Sequence, residues 1–133
     1  MGRSAERLET AGKVLSAFRE VMEIETPTSI ERDAAIQRFE FTFEAIWKAA
    51  KEVLFEHEGF DIGSPKGVIR TCREAGILTD EQAALALEMA DDRNLTVHTY
   101  NEKLATEIYG RLRTYLALMS SWHDSLRSTE SRN

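Results

Sequence analysis

"FEFTFE", residues 39 to 44, is the stretch whose reading decides the fold. Apolar and polar residues alternate there with the period of a half-buried strand, whereas a helix repeats its faces every 3.6 residues. The flanks, "DAAIQR" before it and "AIWKAAKE" after it, are built from good helix formers and keep the segment helical. A long helix over about 29 to 57 then carries a core stripe of Phe39, Phe43, Ile46, Trp47, Ala50 and Leu54. In that register Phe41 points away from Phe39. A large apolar group on the far face implies a second burial surface, such as a subunit interface.

The neighbouring segments read as helices too. Leu8, Ala11, Leu15, Phe18 and Met22 make one apolar stripe over residues 4 to 25, a helix ended by Pro27. Thr28 with Glu31 has the form of a capping box, in which hydroxyl and carboxylate each satisfy a free backbone N–H at a helix start. Gly59 and Gly63 mark a break, and Ser64-Pro65 opens a short helix that Gly76 terminates. Thr79 with Gln82, and Thr99 with Glu102, repeat the capping pattern. The first opens a helix through Ala83, Leu87 and Ala90; the second opens a last long helix with Leu104, Ile108, Leu112 or Tyr115, Met119 and Trp122 on its core face. The fold expected is an all-α, up-and-down bundle of four or five helices. It forms one domain over 1–133, with its core at about 5–125 and a polar, frayed tail from Ser128 to Asn133.

Hydrophobic residues are 42% of the 133 and charged residues 30%, a globular profile with one sizeable core. Neither a membrane span nor a signal peptide is evident, so the chain is expected in the cytoplasm. The single cysteine, Cys72, excludes an internal disulfide and has no partner at zinc spacing. No metal site and no cofactor are expected. The net charge of −6 opposes nonspecific DNA coating. Residues 79 to 92 carry −5 and residues 93 to 133 carry +2, so an anionic ligand belongs to the second half.

The unusual chemistry lies in "DDRNLTVHTYNE", residues 91 to 102. Arg93 and His98, five residues apart, diverge by about 140° on an uninterrupted helix and cannot both face one ligand. Either the helix ends near Val97, or Arg and His converge from two copies of the chain. The ordinary alternative pairs Arg93 with Asp91 or Glu88, puts His98 at a helix-turn position and leaves Tyr100 as a half-buried aromatic. Lys66, Arg70 and Arg73 form a basic face on the short helix, by default solvated and alternatively an RNA-backbone contact. His57 and His123 read as structural or surface groups near helix ends.

"IERDAAIQRFEFTFEAIWKAAKEVLFEHEGF", "SPKGVIRTCREAGILTD" and "DDRNLTVHTYNEKLATEIYGRLRTYL" together resemble the nucleotidyltransferase substrate-binding proteins, a HepT-like branch of the HEPN superfamily, over about residues 5 to 120. Arg93, Asn94 and His98 fit the HEPN ribonuclease pattern, and Tyr100 fits its extension in the toxins of HEPN/MNT toxin–antitoxin modules. The resemblance implies a homodimer whose two motifs face each other as a metal-independent endoribonuclease. His98 would exchange protons with the ribose 2′-hydroxyl and the leaving oxygen, Arg93 would hold the scissile phosphate, and Asn94 would orient one of them. DNA, lacking the hydroxyl, would resist. Tyr100 would accept AMP from ATP, transferred by a cognate minimal nucleotidyltransferase that supplies base and magnesium, and the bulky anion would block the cleft. A rival reading makes the chain a noncatalytic substrate-binding or adaptor subunit of a nucleotidyltransferase, and the negative total charge leans that way.

Overall fold

The structure is a computed structural model that describes residues 2–132; Met1 and Asn133, each at the edge of a segment read above, lie outside the described residues. Among the described residues all regular structure is helical: α1 Arg3–Val21, α2 Ser29–Val53, α3 Pro65–Glu74, α4 Asp80–Leu95, α5 Glu102–Tyr109 and α6 Leu112–Ser131. A wide π-type turn, Leu54–Glu58, prolongs α2, and a 3₁₀ turn, Thr96–His98, prolongs α4.

"FEFTFE" is helical because its alternation is the overlay of two helix faces. Phe39, Phe43 and Ile46 are buried on the core side, where Phe39 stacks on Tyr115 with ring centroids 5.5 Å apart and also meets Phe18. Glu40 and Glu44, one turn apart, make a second face toward α4. Thr42 is buried and donates to the Arg38 carbonyl at 2.7 Å, so its hydroxyl stays within the helix. Phe41, 54% exposed, occupies the far face as the register requires.

α1 and α2 form the main antiparallel pair, and α6 closes against both. Both capping boxes at Thr28/Glu31 and Thr79/Gln82 are present, and Ser64 caps α3 with Pro65 in the first turn. Gly76, at φ 79°, takes the left-handed conformation that ends α3, with Ile77 N–H returning to the Cys72 carbonyl at 2.8 Å. Cys72 is fully buried, and that burial pushes its thiol pKa up to about 12.

Three boundaries differ from the sequence reading. α1 ends at Val21 rather than near residue 25, because Arg113 from α6 takes the Met22 carbonyl at 3.1 Å and the chain tightens there. Thr99 and Glu102 do not form a capping box. Asn101 caps α5 by accepting from Leu104 N–H, while the Glu102 carboxylate is drawn to Arg32 on α2 at 2.7 and 3.2 Å. The expected last helix is divided at Gly110-Arg111, where the Arg111 side chain is held by Asp92. Residues 128 to 131 of the expected tail continue α6, with Glu130 bonded to Ser4 and His57.

Candidate functional site

α4 delivers Arg93 in its last turn and stops at Leu95, so the chain changes helix type before His98. A network centred on the buried Asp92 sets that end. Asp92 accepts from Arg111 Nε at 2.7 Å and Nη2 at 3.0 Å, and also from the Tyr115 hydroxyl. Burial first, and then the Asp92 bond, push the Tyr115 pKa well above the ordinary range; the same carboxylate raises that of Arg111. Asp92 thereby clamps the last turn of α4 onto α6.

On the opposite side of that turn Arg93 reaches α2. Its Nη1 lies 3.3 Å from Glu40 Oε2, and its Nε lies 3.3 Å from Glu44 Oε2 without hydrogen-bond geometry. Thr96 completes the group, with Oγ1 3.2 Å from Arg93 Nη1 and 2.5 Å from Glu40 Oε2. The helical partners Asp91 and Glu88 are not used; Asp91 instead binds Lys66 at 2.6 Å. Two carboxylates therefore flank one half-buried guanidinium, Glu40 at Nη1 and Glu44 near Nε.

Arg93 and Asn94 line a cleft of about 440 Å³ together with Lys66, Ser64, Phe43 and Glu44. Arg70 and Arg73 line a separate shallow groove between α3 and α4, with Asp80 and Leu87. Of the three basic residues of α3, only Lys66 joins Arg93. His98 and Tyr100 are exposed beyond the cleft, with Nδ1 and the phenol oxygen 3.3 Å apart and the rings edge to face. Among the described residues no hydrogen bond or ion pair joins Arg93 to His98 within one chain.

Sequence reasoning missed three features here: the Glu40/Glu44 clamp, the Asp92–Arg111–Tyr115 network, and a group of Glu56, His57 and Glu130. His57 pairs with Glu130 at 2.7 Å, and buried His123 meets the Leu8 carbonyl at 2.9 Å. The signal for the clamp was a pair of carboxylates one turn apart on an otherwise core-facing helix. The other two features join residues far apart in sequence and left no local trace.

An Arg-Asn pair thus ends one helix of the bundle, and a His-x-Tyr turn lies beyond it. The family model for nucleotidyltransferase substrate binding protein-like chains matches residues 6–128. The chain belongs to that family. A curated relative from Haemophilus influenzae, described as "Probable ribonuclease HepT", is 32% identical over 97 residues, which is 70% of this chain. The match spans 65% of that relative's own length, just under two thirds. A crystal structure of a protein from Thermus thermophilus is 56% identical, with a TM-score of 0.85 over 88% of this chain and 98% of its own. A Shewanella oneidensis HEPN toxin, tri-AMPylated and in complex with its MNT antitoxin, shares the fold: TM-score 0.77 at 14% identity over 96% of this chain and 99% of its own. No helix among the described residues is long and apolar enough to cross a membrane.

Proposed function

We propose that this chain is the ribonuclease toxin of a two-component module, a homodimer acting in the cytoplasm and neutralised when a cognate minimal nucleotidyltransferase transfers AMP to Tyr100. The observation that carries the reading is the exposed turn on which the Tyr100 hydroxyl lies 3.3 Å from His98 Nδ1. A group attached to that oxygen sits directly on the imidazole. One modification would then disable one general base.

In the cleavage step His98 accepts the 2′-hydroxyl proton, the 2′-oxygen attacks phosphorus, and the 5′-oxygen leaves with a proton returned to it. The nucleophile is internal to RNA. Arg93, flanked by Glu40 and Glu44, holds the phosphate, with Asn94 and Lys66 in the same cleft. In this reading a second copy of the chain supplies the facing half of the site. Phe41 at 54%, Leu95 at 41% and Val97 at 65% exposure support the pairing as large apolar side chains left in solvent by a single chain. In the neutralising step the Tyr100 oxygen attacks the α-phosphorus of ATP, pyrophosphate leaves, and the phenol proton passes to a base of the partner. The two relatives described as a ribonuclease and as an AMPylated toxin support both steps.

The adaptor reading gains from one observation, the occupation of Arg93 by two carboxylates. The two readings part on a direct assay. Purified chain, free of the partner, is expected to cleave a synthetic RNA and leave DNA of the same sequence intact. Harmless expression together with uncut RNA would favour the adaptor.

A further inference from the structure

Asp92 stands beside Arg93 in sequence, and the two side chains leave the last turn of α4 about 100° apart. Arg93 goes to α2, whereas the buried Asp92 accepts two bonds from Arg111, at 2.7 and 3.0 Å, and one from the Tyr115 hydroxyl. The turn is thus pinned from both sides. The Asp92–Arg111 pair joins positions 19 apart, and the span it closes contains Arg93, Asn94, His98 and Tyr100. Its far end sits at the break between α5 and α6, where the Arg111 N–H returns to the Ile108 carbonyl at 2.9 Å. A buried ion pair is a weak source of stability, since apolar side chains of similar volume hold two helices together as well. What a fork on a carboxylate supplies is direction, because two parallel N–H···O bonds fix an angle as well as a distance. Tyr115 extends that constraint to the core, its ring stacked on Phe39 at 5.5 Å.

From this geometry we infer that Asp92, Arg111 and Tyr115 are positioning residues of the cleavage reaction, holding the end of α4 so that Arg93 and the turn bearing His98 keep a fixed place on the bundle. The inference rests on the ribonuclease reading above. These residues act through Arg93 and the turn rather than on the RNA. A shift of about 1 Å in a reacting group can cost a reaction on the order of 10²-fold, so a network away from the reacting atoms still governs the rate. Arg111 also lines an open groove of about 290 Å³ with Glu88, Asp91, Asp92 and Tyr115. Its side chain is 46% exposed, so the space that it fills is reached from solvent. A small guanidinium ion can therefore take its place once the side chain is removed.

The test compares the full chain with its Tyr115→Phe and Arg111→Ala variants, by amide hydrogen exchange and by RNA cleavage. Phenylalanine keeps the ring on Phe39 and removes one oxygen, so if Arg111→Ala fails to fold, Tyr115→Phe decides alone. Exchange should quicken in residues 92 to 101 while α1 and α2 stay as protected as in the wild type. In Arg111→Ala kcat/KM should fall about 10²-fold, with a smaller loss in Tyr115→Phe. Millimolar methylguanidinium should restore both signals in Arg111→Ala and leave the wild type unchanged. Faster exchange through the whole bundle would mark a merely structural network and overturn the inference. Unaltered exchange in 92 to 101, wild-type cleavage by both variants, or no gain from methylguanidinium in a folded Arg111→Ala would overturn it too. If the wild-type chain cuts no RNA, the ribonuclease reading falls, and the exchange pattern alone decides whether the network holds the turn.

Discussion

Alanine at His98 is expected to slow RNA cleavage by the purified chain about 10²–10⁴-fold, the usual contribution of a positioned proton-transfer group. The imidazole is exposed and its side-chain contact is with the Tyr100 hydroxyl, so its removal leaves the core intact and the loss can be read as chemistry. The fall should appear in kcat, with KM little changed, because the proton moves only in the transition state. Arg93 requires a gentler variant. Alanine there would leave Glu40 without its cation and Glu44 with Lys48 alone, at 3.9 Å, so Arg93→Lys is the cleaner test. Lysine keeps the charge and loses the planar fork that grips a phosphate, and a drop of about 10²–10³-fold with an unchanged helical spectrum is expected. Wild-type rates in both variants would remove these two residues from the reaction.

Tyr100→Phe is expected to abolish modification outright. The phenol is 82% exposed, so deleting one oxygen costs the fold little, yet it deletes the atom that would attack ATP. Wild-type chain incubated with its partner nucleotidyltransferase, ATP and magnesium should gain mass in whole AMP increments and stop cutting RNA. The phenylalanine variant should keep its mass and its cleavage. Cells expressing it should remain arrested even with the partner present. Equal labelling of the two proteins by mass spectrometry would place the acceptor elsewhere.

What could be read from the sequence divides along the range of the interactions. The helix starts at Thr28 and Thr79 were legible because a capping box is closed within four residues. The helical state of residues 39 to 44 was legible from the flanks, and Phe41's exposure followed from the register. Thr99 with Glu102 carried the same local pattern and misled, because Arg32, 70 residues earlier, takes the Glu102 carboxylate away from the backbone. The early end of α1 depends on Arg113, 91 residues later than Met22. The site shows the same division. The family resemblance carried by 91 to 102 singled out Arg93, Asn94, His98 and Tyr100, and the stop at Leu95 matches one of the two arrangements that the spacing left open. Glu40 and Glu44, which orient Arg93, are 53 and 49 positions away, and the partition of Lys66 from Arg70 and Arg73 depends on how α3 lies on α4.

Subunit complementation tests most directly whether Arg93 of one copy works with His98 of the other. Arg93→Lys and His98→Ala chains, each inactive alone, would be co-expressed with different tags. Random pairing makes half of the dimers mixed, and each mixed dimer contains one intact Arg–His pair, so about one quarter of wild-type cleavage should return. Isolated mixed dimers with no more activity than either parent would contradict a site shared between two chains.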